Sequence, residues 1–242
     1  MVSSQGGRRR RYRGCIGGGG QRGEGAAWAS RSRAEFSSAL LAALRYKTAR
    51  ARAASFPSVR PIINSTYVTL DGVIQDPQDW PSLGSSSDAG GRIQSELLER
   101  CDAVLMGRHT YDGFAPVWSA QSGDPFADRM NALPKYVVST TLADPEWNNT
   151  VVIDHDPIDA IRELVRQPGA GIVQYGFGRL AHALMAAGML DELRLWVHPF
   201  FVGTGSADDL LHRAGSTGRF DLVDATTLDS GIVILSYRSR TP

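Results

Sequence analysis

A cation, an imidazole and a hydroxyl, on Arg108, His109 and Thr110, follow Gly107 at the end of an apolar run at residues 103–106. Such a run predicts a strand that is buried on both faces, and the glycine allows the backbone to approach a ligand closely. In open α/β sheets, ligands bind at the carboxyl ends of strands, and a turn that enters a helix offers free N–H groups to an anion. The segment therefore predicts an anion site, and a strand end with a solvated arginine is the alternative.

Two further predicted strands end in small or phosphate-binding residues. Residues 135–139 end in Ser139 and Thr140, and residues 172–175 run into Gly-Phe-Gly-Arg at 176–179. Glycines between a buried strand and a helix let backbone N–H groups reach a pyrophosphate. The third glycine of the dinucleotide fingerprint is missing, so a tight strand-to-helix turn is the alternative. The three edges together favour a nucleotide site.

Strands and helices alternate around these three edges. The predicted strands are residues 61–70, 103–106, 135–139, 151–153 and 172–175, and the predicted helices are residues 92–100, 126–133, 156–166 and 180–187. Asp156 before Pro157 predicts a side-chain cap at a helix start. From residue 191 the pattern predicts antiparallel strands, with a hairpin around residues 229–231. The predicted fold class is α/β, with a mixed, mainly parallel sheet of about eight strands and helices on both faces.

Charge divides the chain into two parts. Residues 1–60 hold 13 of the 26 Lys+Arg and only two acidic residues, so they carry about +11, and the other 182 residues carry about −10. We predict a disordered extension at 1–60 and a folded domain at 61–242. A targeting segment and a nucleic-acid-binding tail are the alternatives for the extension.

The remaining composition narrows the class of protein. The acidity of the folded part argues against a nucleic-acid-binding domain. Cys15 and Cys101 fall one in each part and suggest neither a disulfide framework nor a metal cluster. The chain has no stretch of 18 apolar residues that would predict a transmembrane span. We therefore expect a soluble, cytoplasmic protein without a metal centre.

Several segments resemble the dihydrofolate reductase superfamily, in its order and at about its spacing. These segments are residues 106–111, 136–139 and 176–179. Residues 69–72 (Thr-Leu-Asp-Gly) and 190–205 are closer to one branch, the reductase domain of riboflavin biosynthesis and its stand-alone bacterial relatives. The resemblance covers roughly residues 61–240. It implies a dihydrofolate reductase-like three-layer fold and an NADPH-dependent reductase.

The resemblance also implies a division of labour at the cofactor site. Arg108, Ser139 and Thr140 would bind the adenosine 2′-phosphate, where a guanidinium forms bidentate bonds. Tyr175 would lie near the nicotinamide. The pyrophosphate would be bound by Gly107, Thr110, Gly176, Phe177, Gly178, Arg179 and Leu180. Because Phe177 replaces the middle of three glycines, we expect it to narrow the pocket.

On the substrate side, Leu70, Asp71 and Gly72 would border the substrate, and Trp80 would lie in a mobile loop that closes over it and excludes water. Dihydrofolate reductases carry an acid on the first helix. Asp88 is nearest to the expected place of that acid, and Asp71 stands at the end of the first predicted strand, so these two are the catalytic candidates. A turn residue is the alternative for Asp71, and a helix cap is the alternative for Asp88. Glu96 is a more distant second candidate for the acid on the helix.

Other residues are predicted to have supporting roles. His198 is expected to be packed or solvated. His109 is expected to contact the residues that bind the ligand and not the ligand itself. Trp196 and the pair at 200–201 are expected in the core or on a homodimer surface formed by the late strands.

Three functions compete at this point. The first is reduction of 5-amino-6-(5-phosphoribosylamino)uracil or a pterin-like heterocycle, and the second is NADPH binding without turnover. The third is nucleic-acid association through the basic extension.

Overall fold

The computed structural model describes residues 59–83, 89–203 and 206–240. The predictions for Asp88 and for nearly all of the extension at 1–60 lie outside these residues. Arg60 is buried, donates from Nε to the carbonyl oxygen of Ala170 at 3.1 Å and pairs with Asp102. The side chain of Arg60 therefore packs against the connection that leads into a central strand.

One sheet of eight strands carries the fold, in the order β4-β3-β2-β5-β1-β6-β8-β7. The strands are β1 (Ile62–Thr69), β2 (Cys101–Gly107), β3 (Lys135–Val138), β4 (Thr150–Ile153), β5 (Gly171–Tyr175), β6 (Glu192–His198), β7 (Phe220–Thr227) and β8 (Val233–Ser239). The first six in spatial order are parallel, and β8 pairs antiparallel with both β6 and β7. The predicted mixed, mostly parallel sheet is confirmed.

The antiparallel pairing predicted for the late strands is confirmed for β6 with β8 and for β8 with β7. The sequence did not indicate that β6 also pairs parallel with β1, over seven residue positions. Alternation of apolar and polar residues is the same in both kinds of strand, so it carries no information on direction. The helix between β5 and β6 provides the crossover that returns the chain in the parallel direction.

Five α-helices connect the strands in the described part of the chain. They are α1 (Ala89–Glu99), α2 (Arg108–Trp118), α3 (Pro125–Ala132), α4 (Pro157–Arg166) and α5 (Arg179–Ala186). Most of α2 was not predicted, because Gly113 and Pro116 are poor helix formers. Burial of Tyr111 and packing of Phe114 against Trp118 outweigh that propensity. Within the described ranges, none of the helices has the length and apolarity to cross a membrane.

The cap predicted at Asp156 is wrong. Its carboxylate forms no capping bond, although α4 begins at the next residue as expected. Asp156 has φ +40°, in the left-handed region, whereas a capping side chain needs extended backbone. Its carbonyl oxygen accepts the N–H groups of Asp159 and Ala160 instead, both at 3.0 Å.

The helices cover both faces of the sheet. One apolar layer joins Ile62, Leu105, Ile161, Ile172 and Leu184 beneath α4 and α5, and the other joins Leu97, Met106, Met130, Trp147 and Val173 beneath α1 and α3. Burying each such side chain contributes about 1.5–3 kcal/mol. Trp196 lies in a third buried cluster with Leu228 and Ile234, which confirms its predicted place in the core. This packing holds the carboxyl ends of the parallel strands along one edge.

Candidate nucleotide-binding site

The carboxyl ends of the three strands singled out in the sequence lie side by side, and we call them the first (β2), second (β3) and third (β5) edges. Strand β2 lies between β3 and β5, with Gly107 aligned to Val138 and Met106 aligned to Tyr175. The segments that follow these strands therefore leave the sheet at the same edge. The structure thus brings together the residues that the sequence placed after three separate strands.

Arg108 links the first two edges. Its Nε donates to both carboxylate oxygens of Asp112, at 2.7 and 2.9 Å, and its Nη1 donates to the hydroxyl of Thr141 at 3.3 Å. The side chain is still 40% exposed, so the guanidinium is accessible to a phosphate. Sequence reasoning missed Asp112 and Thr141. The four-residue spacing of Arg108 and Asp112 on a helix could have indicated the first of these.

Ser139 and Thr140 differ in their surroundings. The Ser139 side chain is buried, and its hydroxyl oxygen accepts the N–H groups of Thr141 and Leu142, at 3.1 and 3.0 Å. It therefore shapes the loop after β3. Thr140 is exposed at the tip of that loop and offers a hydroxyl close in sequence to the Arg108 partner Thr141.

The third edge packs directly against the first. Gly176 has φ +77°, and a β-carbon built on it would lie 2.5 Å from the hydroxyl oxygen of Thr110. Only glycine fits this turn, because the left-handed backbone and the close threonine both exclude a side chain. At Gly107 and Gly178 a β-carbon would meet no atom within 4 Å. Open space therefore lies over these two glycines.

Two helices present their amino-terminal ends to that open space. Gly107 precedes α2 and Gly178 precedes α5, and neither helix start has a side-chain cap. In α3, by contrast, the carboxylate of Asp124 accepts the Ala127 N–H at 2.9 Å. First-turn N–H groups have no partner within their helix and attract anions. The pair of glycine-started helices suits the diphosphate of a dinucleotide such as NADPH.

Phe177 does not narrow the pocket, contrary to the prediction. Its ring is buried in the apolar layer beneath the turn, with its centroid 5.0 Å from that of His182. Only its backbone can meet a ligand. Leu180 packs partly buried against the same layer, and Arg179 is exposed, 3.7 Å from a carboxylate oxygen of Asp208.

Tyr175 ends β5 on the other face of the sheet. Its side chain is buried, and its hydroxyl has no hydrogen-bond partner in the described part of the chain. Burial raises the pKa of this phenol. The ring packs against Phe114 of α2, with the two ring centroids 5.3 Å apart. Tyr175 therefore connects the end of β5 to α2.

Asp71 fastens two loops together. Its carboxylate accepts the hydroxyl of Thr69 and the N–H groups of Val202 and Gly203, at 3.2 and 2.7 Å. The hydroxyl contact with Thr69 lowers the pKa of this carboxylate, which opposes a role as proton donor. Gly72 completes the turn with φ +83°. The turn interpretation of Asp71 therefore accounts for its contacts.

Leu70, the residue before Asp71, is 54% exposed. It stands at the carboxyl end of the central strand β1, where the sequence placed the border of the substrate.

An aromatic cluster lies beyond β1 and β6. The Trp80 ring is 5.2 Å from His198 and 5.8 Å from Phe200, and Tyr67 is 4.9 Å from His198. Burial lowers the pKa of His198, and its Nδ1 donates to the carbonyl oxygen of Trp196 at 2.9 Å. The packed position predicted for His198 is confirmed. Trp80 thus places the loop after β1 over this end of the sheet.

The loop that carries Trp80 also contacts the start of α2. Nε2 of His109 lies 3.2 Å from a carboxylate oxygen of Asp76. His109, in the first turn of α2, is thereby connected to the loop that carries Trp80.

A carboxamide, and not a carboxylate, faces the sheet from α1. Gln94 Oε1 lies 3.5 Å from the Ser65 hydroxyl, which also accepts the indole N–H of Trp196 at 3.1 Å. Glu96 is exposed on the outer side of the helix, so the prediction that it supplies an acid is wrong. Helical geometry explains this, because Gln94 lies one turn before the buried Leu97 and Glu96 does not.

The sheet order, the helices on both faces and this edge define a protein of the dihydrofolate reductase-like fold class. Within that class, the chain belongs to the RibD C-terminal domain family, whose model matches residues 60–234. The members of that family include reductases of riboflavin biosynthesis.

Known proteins share this architecture. The chain is 27% identical over 190 residues to the uncharacterized protein YyaP of Bacillus subtilis, covering 74% of this chain and 94% of YyaP. A putative riboflavin biosynthesis protein from Shewanella sp. PV-4 aligns with a TM-score of 0.57 at 19% identity, over 75% of this chain and 99% of its own. A pyrimidine reductase-like protein from Corynebacterium diphtheriae aligns with a TM-score of 0.56 at 13% identity, over 76% and 94%.

A bifunctional protein from Thermotoga maritima shows the same fold in part of its length. It is a diaminohydroxyphosphoribosylaminopyrimidine deaminase and 5-amino-6-(5-phosphoribosylamino)uracil reductase, with a TM-score of 0.52 and 16% identity. The alignment covers 75% of this chain and 57% of that protein. At these identities the solved structures establish the fold alone.

Proposed function

We propose that the chain is an NADPH-dependent reductase of a small heterocycle. The observation that carries this proposal is the joining of three strand ends by direct contacts, Arg108 to Thr141 and Thr110 to Gly176. Together they present a cation, hydroxyls and two uncapped helix starts along one edge. This set of groups fits a dinucleotide that bears an additional phosphate.

Each part of the edge has a task in this proposal. Arg108, with the hydroxyl of Thr140, binds the 2′-phosphate, and Ser139 holds the shape of their loop. The N–H groups after Gly107 and from Gly176 to Leu180 bind the pyrophosphate, while Thr110 supports the turn. NADPH, when bound, supplies the hydride.

The substrate pocket is proposed next to the nicotinamide, over β1. Tyr67 is 37% exposed although it lies on a central strand of the sheet, so this part of the sheet is open. Leu70 and Gly72 border the opening, and Trp80 covers one side. The aromatic rings would exclude water while a flat heterocycle accepts the hydride.

A pyrimidine of the riboflavin pathway is the preferred substrate. The family match and the named activity of the Thermotoga protein support this choice. Among the described residues, α1 directs the neutral amide of Gln94 toward the open sheet. A neutral donor and acceptor pair suits the amide edge of a uracil better than the positively charged ring that an acid would bind.

NADPH binding without turnover is the second candidate function. The contacts of Asp71 favour it, because the carboxylate of this catalytic candidate already accepts hydrogen bonds from Thr69, Val202 and Gly203. A protein of this kind would keep the nucleotide site and lack a catalytic acid.

The test is to add 5-amino-6-(5-phosphoribosylamino)uracil, or dihydrofolate, to the purified protein with NADPH. Consumption of NADPH with the uracil and not with dihydrofolate supports the proposal. Binding of NADPH with no consumption on either compound supports the second candidate. Failure to bind NADPH contradicts both.

We also propose that the protein is a cytoplasmic homodimer. The free, buried thiol of Cys101 suits a reducing compartment. The edge strand β7 exposes two apolar side chains, Leu222 and Val223, to 56% and 57%. Two apolar residues on an edge strand are suited to pairing with a second copy. Light scattering should give the mass of a dimer, and Leu222→Lys should give that of a monomer.

A further inference from the structure

We infer that Asn64 and Gln174 are positioning residues, which hold the Gly176 turn in the shape that binds the cofactor's pyrophosphate. This inference rests on the proposed NADPH function. It concerns two buried side chains that do not reach the open space over Gly178 themselves. They act through the backbone of the turn.

Both side chains meet on one backbone carbonyl. Asn64 on β1 and Gln174 on β5 are aligned in register, and they are 0% and 1% exposed. The carbonyl oxygen of Gly176 accepts Nδ2 of Asn64 at 2.8 Å and Nε2 of Gln174 at 2.7 Å. The same Nδ2 donates to the Gln174 carboxamide oxygen, and the same Nε2 donates to the carbonyl oxygen of Tyr175 at 3.1 Å. The turn is thus bound to two neighbouring strands.

A fixed carbonyl fixes a whole peptide unit. Because the peptide is planar, holding the Gly176 oxygen also sets the plane that continues into Phe177. Thr110 contacts the same glycine from α2. The turn is therefore held from the core by two amides and from the side by a hydroxyl. That leaves the start of α5, at Gly178 and Arg179, in one orientation toward the ligand.

Stability alone does not explain why the carboxamides of Asn64 and Gln174 lie in an apolar layer. Asn64 is two residues along β1 from Ile62, and Gln174 is aligned with Leu105 of β2, so the pair lies on the face of the sheet that this apolar layer covers. The Asn64 carboxamide oxygen is buried and has no partner within the described ranges. A buried polar atom without a partner costs about 1–3 kcal/mol, whereas apolar residues of the same shape would pack without that cost. The donors are therefore best explained by the carbonyl that they hold.

The test compares two ligands that divide the site. NADPH needs the Gly176 turn for its pyrophosphate, but adenosine 2′-monophosphate has no 5′-phosphate and needs only the Arg108 edge. Asn64→Leu and Gln174→Met keep the side-chain volume and remove the donors. Thr66→Val, a buried position two residues along β1, is the matched control. Titration calorimetry gives the Kd of each ligand for each variant.

We expect Asn64→Leu and Gln174→Met to raise the Kd for NADPH by about tenfold or more, the loss of a positioning contact of about 1.4 kcal/mol. The Kd for adenosine 2′-monophosphate should stay the same, and Thr66→Val should change neither. Equal weakening of both ligands, or no weakening, overturns the inference. If the wild-type protein binds the monophosphate and not NADPH, the proposed function fails before any variant is compared.

A second measurement needs no substitution and covers the case in which a variant does not fold. In the wild-type protein, NADPH should shift the amide NMR signals of Gly178 and Arg179, and the side-chain amide signals of Asn64 and Gln174 should respond with them. Adenosine 2′-monophosphate, which has no 5′-phosphate, should leave all four unchanged. Movement of the backbone amides while both side-chain amides stay still overturns the coupling that we infer.

Discussion

Arg108 donates from Nε to both carboxylate oxygens of Asp112, one helical turn further along α2. The guanidinium assigned to the 2′-phosphate is thus oriented before any ligand arrives. Its Nη1 donates to the hydroxyl of Thr141, so the guanidinium lies between α2 and the loop after β3.

Arg108→Leu should raise the Kd for NADPH by about tenfold or more, because a hydrogen bond to a charged group contributes about 1.5–3 kcal/mol. NADH, which lacks the 2′-phosphate, should bind as before. Fluorescence titration with both cofactors makes the comparison. Arg162→Leu, an exposed arginine of α4 that pairs with Asp159, is the control. Equal losses for NADPH and NADH would refute the 2′-phosphate assignment.

Gly176→Ala should destabilise the fold and weaken NADPH binding. The alanine would have to adopt φ +77° and accommodate the Thr110 hydroxyl, which costs about 1–3 kcal/mol. Urea unfolding measures the change. Gly178→Ala is the control for the unfolding measurement alone, since a β-carbon there meets no protein atom within 4 Å. In a Thr110→Ala background the cost of Gly176→Ala should fall to that of the backbone strain, and an unchanged cost would contradict the contact.

Gln94→Ala should lower the kcat/KM for the uracil substrate while the Kd for NADPH stays unchanged. The reason is that this amide faces Ser65 and the open part of β1, away from the cofactor edge. Glu96→Gln on the outer side of the same helix should leave both quantities unchanged. Steady-state kinetics measures kcat/KM for the two variants. A larger loss of kcat/KM in Glu96→Gln than in Gln94→Ala would contradict this prediction and would indicate that the catalytic acid lies on α1.

His198 should make stability depend on pH. Burial lowers the pKa of His198 below its usual 6.5, so the unfolded chain binds a proton that the native protein does not. Stability from this group is therefore complete above about pH 6.5 and declines as pH falls toward the native pKa. His198→Phe keeps an aromatic ring and removes the titration.

Urea midpoints at neutral and mildly acidic pH provide the measurement. The wild-type protein should lose more stability on acidification than His198→Phe. The comparison isolates this residue from His182, whose pKa burial also lowers. Parallel pH profiles of the two proteins would show that His198 contributes nothing.

Local pattern was enough to predict the strands that carry the site. Strands β2 and β5 read as apolar runs because helices cover them on both faces, and the ligand-binding residue types stand directly after them. The helix over Gly113 and Pro116 could not be read this way, since tertiary packing outweighs their propensity. The direction of β6 depends on a crossover that alternation does not encode.

Asn64 and Gln94 were missed for a different reason. Asn64 meets Gln174 from 110 residues away in the chain, and the Ser65 contact of Gln94 depends on how α1 packs on the sheet. A polar residue within a strand or a helix carries no local sign of such a partner. Phe177 was misplaced likewise, because sequence alone does not show that its ring turns into the core.

Amide hydrogen exchange of the wild-type protein with and without NADPH tests the proposed site most directly. We predict slower exchange in three segments together, residues 107–110, 139–141 and 176–180, with NADH giving weaker protection at the first two. Protection confined to one segment, or no change with NADPH, would contradict the claim that three neighbouring strand ends bind one phosphorylated dinucleotide.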